Sequence, residues 1–151
     1  MNLSEHFSIS EAEHTDHDIP NALPESLVNN ATHLAQDILE PLRVLLGPLK
    51  VSSWYRCPAL NTAVNGEANS YHLDALAADV VPNGDCFSAF KMALTLMAEL
   101  PIDKIIYEHR NSDWLHIQAA QPGRVPRKQA LIARPNPGAS HGMVYELYPV
   151  V

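Results

Sequence analysis

Eight histidines are spread over 151 residues, and two of them sit where an imidazole needs a reason to be. His116 lies in the apolar run Trp114-Leu115-His116-Ile117, where an unpartnered ring would lose hydration with nothing in return. His72 stands in Ser70-Tyr71-His72-Leu73-Asp74-Ala75-Leu76-Ala77-Ala78-Asp79-Val80, a stretch of small residues that leads into a strand. Asp79 is at the threshold of that strand, a costly place for a carboxylate unless a cation meets it. Two imidazoles and one carboxylate are the ligand set of many catalytic zinc sites, with the fourth position left to water. His72, Asp79 and His116 are therefore candidate metal ligands. Seven residues extended at about 3.3 Å each would span about 23 Å, whereas ligands of one metal lie within a few ångströms of one another. The segment from His72 to Asp79 must fold back, and Ala75, Ala77 and Ala78 are small enough to let it. Spacing alone leaves two readings open, a metal site or a pair of hydrogen-bonded core histidines. His6, His14, His17, His33 and His141 have neither regular spacing nor apolar flanks and receive no role.

The elements that would carry these residues read as α+β, a small antiparallel sheet with flanking helices. From Glu25 the apolar positions Leu27, Ala31, Leu34, Ile38, Leu42 and Leu45 recur at helical spacing, with a kink expected at Pro41 and a stop at Gly47-Pro48. Leu49, Val51, Ser53 and Tyr55 alternate as a strand does, and Pro58 opens a short helix that closes at Asn65-Gly66. Residues 66–78 read as a loop and Asp79-Val80-Val81 as a short buried strand. Asp85 caps a helix whose inward face is Phe87, Phe90, Leu94 and Met97, ended by Pro101. Residues 104–108 and 114–118 form a hairpin around His109-Arg110-Asn111-Ser112. Three stretches follow: an acidic lead-in over 1–24, a core over 25–120, and a basic, proline-rich tail over 121–151 that packs on the core or extends from it.

Composition narrows the classes of function. Seventeen acids against ten bases give a net charge of −7, a field that repels nucleic acid and anionic membranes. No window approaches the roughly 18 continuous apolar residues of a membrane span. Cys57 and Cys86 are too few for a thiolate cage, and whether they pair is open. The N-terminus has neither a basic n-region nor an apolar h-region, so synthesis in the cytoplasm is expected. Oligomeric state is not legible.

Ser70-x-His72 with Ala77-Ala78-Asp79-Val80, followed by Trp114-x-His116-Ile117, resembles the zinc peptidases of the D-alanyl-D-alanine carboxypeptidase type. Relatives of that family, which shares the Hedgehog/DD-peptidase fold, include phage L-alanyl-D-glutamate endopeptidases. The resemblance extends to Pro41-Leu42-Arg43, to Ser53-Trp54-Tyr55-Arg56-Cys57-Pro58-Ala59-Leu60-Asn61 and to the strand from Asp103 to Glu108, and covers about residues 5–119. It implies zinc on His72, Asp79 and His116, with zinc-bound water as nucleophile. It also implies Arg56 as a cation facing the substrate's carboxylate or scissile carbonyl, and Ser70 as a polar substrate contact. The family usually has an acid three residues before the last histidine, here Asp113, which takes the role of base; Glu108 is the runner-up. Residues three apart on a regular strand face opposite ways, so Asp113 reaches the site only if the chain bends near Trp114. Ala75 stands where the family often has glycine, which tolerates a positive φ that alanine resists. The implied activity is hydrolysis of peptide bonds in bacterial peptidoglycan stem peptides, as carboxypeptidase or endopeptidase, with a phage-type release route to the wall. The alternative is a catalytically silent zinc-binding or virion structural module on the same fold.

Overall fold

The computed structural model describes residues 1–140 and 142–150, and His141 lies outside them. Ser8 and Glu11 form a reciprocal capping box on the one-turn helix α1 (Ile9–Ala12). Leu3, Phe7 and Ala12 are buried, so the acidic lead-in is laid into the core rather than beside it. The next helical run comprises a 3-10 turn at Glu25–Leu27, α2 (Val28–Leu34), a π turn at Ala35–Leu39 and α3 (Glu40–Leu46). The π turn falls directly before Pro41, where sequence predicts a kink. Proline has no N–H and its ring crowds the carbonyl four residues back, and widening the preceding turn relieves both. Ala31, Leu34, Ile38, Leu39 and Leu42 are fully buried along this run.

The sheet comprises β1 (Leu49–Ser53), β2 (Ala77–Pro82), β3 (Ile102–His109), β4 (Asp113–Ala119), β5 (Gln129–Pro135) and β6 (Met143–Leu147). Its spatial order is β1-β2-β4-β3-β5-β6. Every pairing is antiparallel except that of β3 with β5. The hairpin leaves β4 at the end where β3 begins, so the following connection delivers β5 alongside β3 in the same direction. Helix α4 (Pro58–Ala63) lies between β1 and β2 in sequence, and α5 (Cys86–Leu94) between β2 and β3.

The prolines of the C-terminal stretch fall at the end of β5 (Pro135) or outside both of its strands (Pro122, Pro126, Pro137, Pro149), where a missing N–H costs no ladder bond. Strand alternation divides the centre of the sheet. Val80, Ile105, Leu115 and Ile117 are fully buried on the core face with Phe90 of α5. Asp79, Ile106, Glu108, Trp114, His116 and Gln118 face a cleft on the other side. No helix among the described residues is long and apolar enough to cross a membrane. Cys57 and Cys86 are both free.

Candidate metal centre

The segment from His72 to Asp79 folds back by a compact device. Ser70 caps a 3-10 turn at Tyr71–Asp74, its Oγ accepting from the His72 N–H at 3.2 Å. Ala75 then takes the left-handed conformation, φ 59° and ψ 19°, and the Leu76 N–H bonds the Tyr71 carbonyl at 3.0 Å. Ala75 thus adopts the positive φ that alanine resists. An L-residue in αL costs about 1–2 kcal/mol, but Ala75 is fully buried, and one buried methyl contributes about 0.8 kcal/mol. Glycine would also lose more entropy on folding, by about 0.5–1 kcal/mol. These terms nearly cancel, so Ala75→Gly is expected to shift unfolding free energy by less than about 1 kcal/mol in a denaturant titration.

Trp54 clamps this loop from below. Its indole Nε1 donates to the Ala75 carbonyl at 3.0 Å, and its own carbonyl lies 2.6 Å from His72 Nδ1. A carbonyl only accepts, so Nδ1 carries the proton and Nε2 of His72 keeps a lone pair. That Nε2 lies 3.4 Å from Asp79 Oδ1. Asp79 is directly opposite His116 in the β2–β4 ladder, and His116 Nδ1 lies 3.2 Å from the same Oδ1. His116 Nε2 lies 2.9 Å from Gln118 Oε1. The amide of Gln118 is oriented by its other end, since Nε2 donates to Asp103 at 2.8 Å. His116 therefore carries its proton on Nε2 and turns the lone pair of Nδ1 inward. His72, Asp79 and His116 each offer one ligand atom, all within 4.8 Å of one another. Two neutral imidazoles aimed at one carboxylate oxygen are a donor set that fits a divalent metal of the zinc kind.

The partner of Gln118 is itself built for the purpose. The β3–β4 register slips between Ile102 and Lys104, and this bulge re-aims Asp103. The Asp103 carboxylate, 2% exposed, receives Gln118 and both the Nε and Nη2 of Arg127, the latter at 2.7 Å. Arg127 thus holds Asp103, Asp103 holds Gln118, and Gln118 holds His116. Loss of such an outer partner typically costs 10–100-fold in metal affinity, about the effect expected of Gln118→Ala in a chelator competition. Unchanged affinity would show that this chain is idle.

Charge at the centre is balanced from two sides. In the metal-free centre burial pushes the Asp79 carboxyl up, but the charge and the N–H hydrogen bonds of the two imidazoles in their protonated form more than reverse it, leaving it well below the usual carboxylate range. Its second oxygen meets Arg56 Nη2 at 3.2 Å. Burial holds His72 below the ordinary imidazole value, against the pull of Asp79. At His116 burial acts the same way, yet in the metal-free centre the protonated ring donates to Asp79, and this hydrogen bond wins and raises its pKa. Glu108 is pushed up to about 7, by burial first and by the Asp79 charge second.

These groups share a cleft of about 590 Å³ that contains His72, Asp79, His116, Arg56 and Ser70 together. Asp113 is not among its lining residues. The β3–β4 register runs unbroken from Lys104 opposite Gln118 to His109 opposite Asp113, so the bend near Trp114 that Asp113 requires is not there. The Asp113 carboxylate turns instead to Tyr107 Oη and His109 Nδ1, both at 2.6 Å. The Tyr107 hydrogen bond holds its pKa down. Glu108, opposite Trp114 and one same-face position from the Ile106–His116 pair, lies in the cleft. Sequence reasoning also missed Gln118, although its position two after His116 on a strand places it on the same face. The Asp103–Arg127 contact depends on a bulge and a 24-residue separation that no local pattern marks. Residues 5–118 match the family model described as Peptidase M15. No curated protein matches the chain.

Proposed function

The chain belongs to the peptidase M15 family, and from that premise we propose that it hydrolyses peptide bonds in bacterial peptidoglycan stem peptides, as a carboxypeptidase or an endopeptidase. It is a zinc metallopeptidase. The observation that carries the proposal is the convergence of His72 Nε2, His116 Nδ1 and the Asp79 carboxylate, with the far nitrogen of each ring already bonded. Zinc held by these three side chains would supply Lewis acidity and make a water nucleophilic near neutral pH.

The chain's own residues do the rest. Glu108 takes a proton from the attacking water and returns it to the leaving amine; burial and the Asp79 charge raise its pKa in the metal-free protein, and a bound cation lowers it again, which favours the basic form. Arg56 is held by Ser53 Oγ at 3.1 Å and by Asp79. It keeps Asp79 ionised and places positive charge beside the cleft, where a scissile carbonyl oxygen gains negative charge. The Ser70 Oγ accepts from the His72 N–H, leaving its own proton for a substrate carbonyl.

The test is mass spectrometry of peptidoglycan fragments after incubation with zinc-loaded protein and with chelator-treated protein. New stem-peptide ends that appear only with metal are the expected result, and they identify the bond. Zinc-loaded protein that leaves the wall intact would instead favour the catalytically silent module.

A further inference from the structure

The cleft floor has three cross-strand pairs on one face: Glu108 with Trp114, Ile106 with His116, and Lys104 with Gln118. Successive same-face positions are about 7 Å apart. Glu108 therefore stands on one side of the metal rung and Lys104 at a similar distance on the other. The Lys104 side chain lines the cleft and is partly buried, yet it makes no ion pair or hydrogen bond among the described residues. Two charges act on it, the repelling Arg127 guanidinium and the attracting Asp103 carboxylate. Asp103 already receives two nitrogens of Arg127 and the amide of Gln118. Two cations thus share one committed carboxylate, and this end of the cleft carries an excess positive charge. Arg127, which lies beyond the family match, lines the cleft at this end.

We propose that Lys104 is a specificity residue that binds a substrate carboxylate lying about one residue from the scissile bond. An ammonium half removed from water and left without a partner is matched by an anion of that size, and the neighbouring guanidinium adds to the attraction. The carboxylate is either the free C-terminus of the substrate or an acidic side chain. This inference rests on the peptidase reading for the position of the scissile bond.

Calorimetry on zinc-loaded Glu108→Gln protein, where ligands bind without being cut, tests it with two pairs of probes. One pair is N-acetyl-D-alanyl-D-alanine and its C-terminal amide; the other is N-acetyl-L-alanyl-D-glutamic acid α-amide and its D-glutamine counterpart. In at least one pair the anionic member should bind about tenfold more tightly, the usual worth of a hydrogen bond to a charged group. Adding Lys104→Met should remove that preference by weakening the anion alone, and Lys104→Arg should retain it. Absence of preference in both pairs, or a preference that survives Lys104→Met, overturns the proposal. Cleavage by the wild-type protein is read separately, so loss of the carboxylate subsite and loss of peptidase activity give different results.

Discussion

Glu108→Gln protein is expected to keep its zinc and lose peptide hydrolysis by about 10²–10⁴-fold, the usual worth of a positioned general base. Asp113→Asn protein should keep turnover within a few-fold of wild type. The contrast follows from strand parity. Glu108 shares the cleft face with His116, whereas Asp113 is bonded to Tyr107 and His109 away from the cleft. Initial rates on the bond identified from wall digests decide between them, and the reverse pattern would return the role of base to Asp113.

The raised pKa of Glu108 adds a second signature. Burial and the Asp79 charge favour its protonated form, up to about 7 against an ordinary 4.5. In metal-free protein this carboxyl therefore contributes stability that is fully present below about 4.5 and is lost as pH rises through about 7. Denaturant midpoints of chelated protein should fall across that window because of this group, and Glu108→Gln should flatten the slope. Bound zinc, being positive, moves the titration lower, so the acid limb of kcat/KM lies below 7 in the loaded enzyme.

His116→Ala is the second large effect. It removes one of three ligands and leaves Asp79 with His72 and Arg56 as partners, so the fold should persist while the metal is lost. With free zinc at about a thousand times its dissociation constant, a folded-state site contributes about 4 kcal/mol of stability. Thermal unfolding of wild type should therefore rise clearly with added zinc and fall with chelator, while that of His116→Ala should respond to neither. Zinc-dependent stabilisation of the variant would place the metal elsewhere.

The residues that bind were easier to read than the residue that moves protons. His72, Asp79 and His116 each occupy a place in the sequence that a side chain of their type needs a reason to occupy, and the fold-back of their loop follows from small residues and a length that no extended chain could reconcile with one metal. Matched position within a resemblance favours Asp113. The competing rule, alternation along a regular strand, was equally visible, and β4 obeys it from its first residue. The strands β5 and β6 were hidden by proline content, because composition counts prolines without showing that they fall at strand ends or between strands. The bulge at Asp103, which turns a strand residue toward Gln118 and Arg127, leaves no periodic trace. Ala75 was legible as a departure, and the structure shows that burial and the Trp54 hydrogen bond hold it in a conformation alanine resists.

Anomalous diffraction at the zinc edge from zinc-loaded crystals locates the metal among these side chains. One strong peak is expected about 2.0–2.2 Å from each of His72 Nε2, an Asp79 carboxylate oxygen and His116 Nδ1, with Glu108 beside it on the cleft floor. A peak held by other side chains, or bonded to the nitrogens of His72 and His116 that now face Trp54 and Gln118, would contradict this ligand set.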